Sequence, residues 1–286
     1  MLPIAVVTDS SAGVDQAWAA EHDAWIIPLL LEIDGKILRD GIDITDERFF
    51  ELLPTFSQLP NTLESPTSQV LQLFRALEKA GYEGILCVHL SSKVSNMCAT
   101  ARLAARGVSI PVEVVDTLAT SSATLLCVET AVRAIARGAR LTEAAEIVRR
   151  AAEEARTVFA VDTLDYIYQR GHLNAAEALV GSVLQFKPLL GFVGGEVRLL
   201  ERVRTSARVI QRSVEMMLEW LGADTPVLAR VVHGVSEEQA EQLRLLALEE
   251  LRIVEMRTGH VPAIVGAHAG PSVYSLCCLP TKYAEL

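Results

Sequence analysis

Residues 84–100 read GILCVHLSSKVSNMCAT, and the change of character halfway along this stretch decides the fold. Residues 84–90 form an unbroken, mostly apolar run of strand length, the pattern of a strand buried on both faces. Ser91 and Ser92 stand at its carboxyl end, and Ser95 is placed to cap a helix that continues to about Arg106. The same sequence of events occurs upstream. Residues 4–7 are a short apolar run that ends in Thr8-Asp9-Ser10-Ser11, and the helix-forming stretch VDQAWAAEHD follows. Downstream, residues 112–115 end at Asp116 and give way to helical patterns at 122–137 and 142–155. Strands alternating with helices imply βαβ units and a mainly parallel sheet.

Between these units, residues 25–33 form another apolar run. Asp34-Gly35 marks a hairpin turn into residues 36–38, and Thr45 is a cap for DERFFELL. The pair of helices before Thr157 forms a natural hinge, so the chain divides into domains at 1–156 and 157–286. The second domain opens with a strand at 158–161 and a helix at 163–169. The stretch FVGGEV at 192–197 signals a hairpin. A helix at 206–220, a strand at 227–232, a helix at 236–248 and shorter elements at 251–256 and 263–266 complete it. The expected fold class is therefore two-domain α/β, with a mainly parallel sheet in the N-terminal domain and an antiparallel hairpin in the second.

Composition narrows the function. Half of the 286 residues are hydrophobic, enough aliphatic surface to line an apolar cavity as well as two cores. A formal charge of −10 argues against a nucleic-acid partner, and the recurring arginines between 102 and 150 lie among glutamates on helix faces. The five cysteines show no Cys-x-x-Cys or Cys/His spacing, so reduced, buried thiols and no metal are expected. Residues 1–11 lack a basic leader, and no run reaches membrane-span length. A cytoplasmic protein without stable membrane insertion is the expectation.

Nucleotide and nucleophile signatures are missing: neither a Gly-x-Gly-x-x-Gly nor a P-loop nor a Gly-x-Ser-x-Gly occurs. Asp9 and Ser10 could serve as an acid and a nucleophile in a small hydrolase or phosphotransferase, but a turn and helix cap explain them without chemistry. The serines of LSSKVSNMCAT offer hydroxyls beside a helix N-terminus, where the dipole favours an anion. Taken alone, they are equally a capping motif.

An ordered set of short motifs resembles the DegV family over nearly the whole chain. It comprises Thr8–Ser11, Pro28-Leu29, Asp-Gly-Ile-Asp-Ile at 40–44, the serine cluster at 91–95, Lys187-Pro188, Arg204-Thr205 and His268-Ala269-Gly270. Departures accompany the match. The family's Thr-Ser-Gln-Pro-Ser loop reads Thr62-Leu63-Glu64-Ser65-Pro66, with a rival register at Thr67-Ser68-Gln69. Its Ser-Gly-Thr-Tyr reads Ser95-Asn96-Met97-Cys98. Its Gly-Gly-Arg-Ile reads Arg170-Gly171-His172-Leu173, which puts a histidine at the arginine position.

The resemblance implies a non-catalytic carrier that encloses one long-chain fatty acid, such as palmitate, in a tunnel between the domains, with no other cofactor. It implies that Thr62, Ser95 and His268 hold the carboxylate, supported by Asp9, Ser10, Ser92, Asn96 and His172. It further implies that a separate fatty acid kinase phosphorylates the presented carboxylate, docking near Arg170, His172, Arg202 and Arg204. The rival readings are the hydrolase or phosphotransferase above and a regulatory protein with an empty pocket.

Overall fold

The computed structural model describes residues 3–173 and 186–284. Its first sheet joins β1 (Ile4–Asp9), β2 (Ala24–Ile27), β6 (Gly84–His89) and β7 (Val112–Asp116) in the order β2-β1-β6-β7, with every pair parallel. All six residues of β1 and all six of β6 are buried, because the side chains alternate between two covered faces. Ala5, Val7, Ile85 and Cys87 meet α3 (Thr67–Ala80) and α4 (Met97–Ala105) in one core. Val6, Leu86 and Val88 meet α5 (Ser122–Ala136) and α6 (Leu141–Glu154) in another.

The second sheet is mixed and six-stranded, in the order β10-β9-β8-β13-β11-β12. It comprises β8 (Arg156–Ala160), the hairpin of β9 (Lys187–Val193) and β10 (Glu196–Val203), β11 (Val227–His233), β12 (Ile253–His260) and β13 (Tyr274–Pro280). Only β11 and β12 run parallel. One face is covered by α8 (Ser206–Leu221) and α9 (Glu237–Glu250). Part of the other face packs on α5, which lies between the two sheets. That position explains why α5 is buried almost all round, a pattern that would otherwise mark a membrane helix. Among the described residues no helix is long and apolar enough to cross a membrane. Adjacent Cys277 and Cys278 illustrate the layering: the first points to the α5 side and the second to the α8 side. All five cysteines are buried and unpaired.

Three details depart from the sequence reading. The apolar run at 25–33 is two strands in two sheets, because Pro28 interrupts the ladder and Leu29 turns the chain, its N–H donating to Ser10 Oγ at 3.0 Å. The second strand, β3 (Leu30–Ile33), forms the expected hairpin with β4 (Lys36–Arg39). It also pairs on its other edge with β5 (Asn61–Leu63), which the sequence reading took as a loop. The segment at 263–266 belongs to a helix, α10 (Ala263–Ala269), and β13 enters the middle of the second sheet although nothing local marked its full length as a strand. The remaining helices are α1 (Gln16–Glu21), α2 (Asp46–Leu52), which starts at Thr45 as its cap, and α7 (Asp165–Gln169).

Candidate functional site

Four segments far apart in sequence converge on one cavity of about 420 Å³. Ser95 and Asn96 come from the start of α4, where strand β6 ends. Thr62 comes from β5, whose pairing with β3 sets it opposite Leu31. His268 is on α10, and His172 follows α7. Apolar side chains, Leu29, Phe159, Phe192, Val197, Ile264 and Val265 among them, make up much of the rest of the lining. The volume falls within the range of about 300–1,000 Å³ typical of small-molecule sites.

The polar end is a hydrogen-bonded chain. Thr62 Oγ1 lies 3.0 Å from His268 Nε2, and His268 Nδ1 lies 2.8 Å from His172 Nε2. Burial, then the neighbouring His172 and Arg170, push the His268 pKa down to about 3. Burial and Arg170 lower that of His172 as well. Both rings are therefore neutral at pH 7. Arg170 is not a free cation at the head of the cavity. It braces the strand that carries Thr62, donating to Asn61 Oδ1 at 3.1 Å, to the Leu59 carbonyl at 3.2 Å and to the Pro60 carbonyl.

Ser95 Oγ accepts the Met97 N–H at 3.2 Å, so the hydroxyl is the local cap although Asn96 occupies the cap position itself. Its proton is left to donate into the cavity. Asn96 bonds Glu64, which ties α4 to the segment after β5. Ser92 lines the cavity, with its N–H directed to Asp116 at 3.3 Å.

Asp9 and Ser10 sit elsewhere. The Asp9 carboxylate accepts from His89 Nδ1 at 2.8 Å, from the Ser11 hydroxyl at 2.5 Å and from the Ser11 and Leu90 backbone, all buried. Ser10 Oγ serves the Leu29 N–H and Asp40. Neither residue lines the cavity, and both hold the loops that do. Among the described residues no group of three or more His, Cys, Asp or Glu is placed to hold a metal.

Sequence reasoning missed a set of hydroxyls on the same cavity. Thr120, Ser121, Thr157 and Ser275 all line it, and Thr120 Oγ1 is enclosed without a hydrogen-bond partner. Ser121 also carries a left-handed backbone, φ 53°, held by its N–H bond to the Ser11 carbonyl at 3.0 Å. No local motif flags these residues, since Thr157 and Ser275 sit in ordinary strands and Thr120 and Ser121 in the turn before α5.

The helix that carries His268 is held at its start by two carboxylates from the first half of the chain. Asp46 Oδ1 accepts the Ala263 N–H at 2.8 Å and Asp40 Oδ1 accepts the Ile264 N–H at 3.3 Å. Burial raises Asp40 from 3.8 to about 7 and Asp46 to about 6. Between pH 4 and 7 the folded chain thus binds protons that the unfolded chain has released, so this pair makes stability decline as pH rises. Asp40→Asn is expected to remove its share of that decline, bounded at about 4 kcal/mol by the shift. In urea unfolding, the difference between the two proteins should change from pH 4 to 7 and hold constant above. Parallel curves would show Asp40 to be titrating normally.

The family model described as "Uncharacterised protein, DegV family" matches residues 3–281. A DegV domain-containing protein of Streptomyces coelicolor is 32% identical over 277 residues, covering 94% of this chain and 96% of its own. A structure titled as fatty acid binding of a DegV family protein from Thermus thermophilus superposes with a TM-score of 0.90 at 26% identity, covering 98% of this chain and 100% of that one. DegV of Bacillus subtilis, described as a fatty acid binding protein, gives a TM-score of 0.88 at 27% identity and covers 98% and 100%.

Proposed function

This chain belongs to the DegV family, and on that premise we propose that it is a cytoplasmic carrier that binds one long-chain fatty acid and presents the carboxylate to a separate kinase. The observation that supports this most is the make-up of the cavity, which joins aliphatic and aromatic side chains to hydroxyls and an imidazole. Burying about fifteen methylenes contributes roughly 12 kcal/mol. That exceeds the lower estimates of association cost, about 4 kcal/mol. The carboxylate must still be hydrogen-bonded, since burying it unpaired would cancel much of the gain. On this reading Thr62 and Ser95 donate to its oxygens, with His268 behind Thr62. Residues 1–156 carry these loops, and residues 157–286 close the tunnel. The buried, unpaired thiols fit a reducing compartment.

Catalysis by this chain itself has no support in the geometry. The Asp9 carboxylate is consumed by its partners, and Ser10 faces away from the cavity. The kinase would supply the phosphoryl chemistry, and exposed Arg202 and Arg204 are available to it.

Two measurements test the reading. Solvent extraction of the purified protein followed by mass spectrometry should yield fatty acid in proportion to protein. A clean extract, with no uptake of added fatty acid, would refute the carrier function. Ser95→Ala is expected to weaken binding by about 1–3 kcal/mol by removing a donor to a buried anion. Unchanged affinity would take Ser95 out of the site.

A further inference from the structure

A buried carboxylate needs a counter-charge or a proton, and among the described residues no cation is bonded to Thr62, His268 or His172. Arg170 stands two residues before His172, but its guanidinium is committed to the backbone at Leu59 and Pro60 and to Asn61. Lys93 lines the cavity but is exposed to solvent, and Glu64, of opposite charge, lines it as well. What the site does hold is two imidazoles in contact, with ring centroids 4.8 Å apart and Nε2 of His172 2.8 Å from Nδ1 of His268.

The bonds of this pair have a direction. Each neutral ring has one N–H and one lone pair. If His172 Nε2–H donates to His268 Nδ1, then His268 Nε2 carries its hydrogen and donates to Thr62 Oγ1. The Thr62 hydroxyl is then free to donate to a ligand oxygen. In the opposite direction the Thr62 proton is spent on His268, and the hydroxyl can only accept. A carboxylate requires the first arrangement, and a proton added to the pair enforces it, because a protonated His268 must donate through Nε2.

We propose that His172 is a positioning residue which sets the proton on His268, and that a carboxylate is seated at Thr62 together with a proton that the His172–His268 pair takes from solvent. This rests on the reading that the cavity binds fatty acid. The proton comes from water or buffer, which is left as its conjugate base, and no covalent bond of the ligand changes.

The groups around the pair agree with a neutral free state and a protonated bound one. Helix α10 packs against α2, α7, β5 and the turn at Ser10–Ala12. From α7 and the residues after it come Asp165, Tyr166, Tyr168 and Arg170, of which Arg170 disfavours a second positive charge on the rings. Asp46 and Asp40 engage the far end of α10 at Ala263 and Ile264, Glu47 of α2 faces His260, and Asp9 is hydrogen-bonded to His89, Ser11 and the Leu90 backbone. On the outer side of α2, Arg48 pairs with Glu51 at 2.8 Å. An anion one hydroxyl away from His268 is therefore the new charge that would raise the affinity of the pair for a proton.

The test is titration calorimetry of the full chain with dodecanoate in two buffers of different ionisation heat, repeated with 1-dodecanol and with His172→Phe. The expected result is proton uptake on binding dodecanoate, none with dodecanol, and uptake at least halved in the variant. Affinity of the unchanged protein should fall about tenfold per pH unit as pH rises toward the pKa of the pair in the complex, then level off. Tight dodecanoate binding with no buffer dependence overturns the proposal and leaves the carrier reading intact. Undiminished uptake in His172→Phe assigns the proton elsewhere and overturns the role of His172. Failure of the unchanged protein to bind dodecanoate at any pH sinks both readings together. The buffer comparison on the unchanged protein decides the matter even if the variant does not fold.

Discussion

Replacing Glu129 with alanine is expected to destabilise the fold by about 3 kcal/mol, the lower end of the range for stripping one partner from a buried ion pair. Glu129 lies in the middle of α5, on the face turned to the second sheet. Its two oxygens sit 2.9 and 2.8 Å from Arg230 NH2, with both side chains 2% exposed. Arg133 at 3.2 Å and Arg257 at 3.6 Å complete its surroundings. Without Glu129, Arg230 keeps the Ala229 carbonyl at 3.0 Å and Glu255 at 2.8 Å, the latter an ion pair without good hydrogen-bond alignment. Those contacts place the loss near the lower bound. Glu129→Leu combined with Arg230→Met should recover most of it, because two well-packed apolar groups need no desolvated charge. Chemical denaturation of the single and double variants measures both effects. A single variant as stable as the parent would show that α5 and β11 are not clamped by this pair.

Val265→Trp is expected to abolish fatty acid uptake while leaving the protein folded. Val265 lies on α10 one turn before His268 and lines the cavity with its side chain partly exposed. An indole there would occupy the path of the acyl chain without touching Thr62 or Ser95. Overpacking costs about 1–3 kcal/mol, so the variant should melt somewhat lower but cooperatively. Bound lipid per chain, determined by extraction and mass spectrometry, should drop toward zero. Retention of lipid at the parental level would separate the cavity from the lipid site, even if Ser95→Ala had weakened binding.

The elements that were legible in the sequence are those whose signal is local. The strands at β1 and β6 are continuous apolar runs of the right length, and Thr45 and Asp34-Gly35 carry their own cap and turn chemistry. The serines after β6 announce a helix start with spare hydroxyls, and the structure keeps Ser95 at that junction. Family resemblance added Thr62 and His268, which no local rule would have joined. They lie 206 positions apart, and the hydrogen bond between them depends on β5 pairing with β3 and on α10 docking against β5.

What the sequence by itself determined, then, is the alternation of strands and helices in the first half, the parallel character of the first sheet and the serine-bearing helix start after β6. These follow from periodicity, turn residues and caps, which act over a few residues. Only the tertiary structure decided that the run at 25–33 serves two sheets, that β13 enters the centre of the second sheet and that α5 is enclosed by both. The His172–His268 contact and the turning of Ser10 away from the cavity belong to the same class. Each is fixed by contacts between distant segments, where the gain comes from completing a sheet, filling a core or pairing a buried polar group. A linear pattern records that such a residue is apolar or polar, but not which partner it meets.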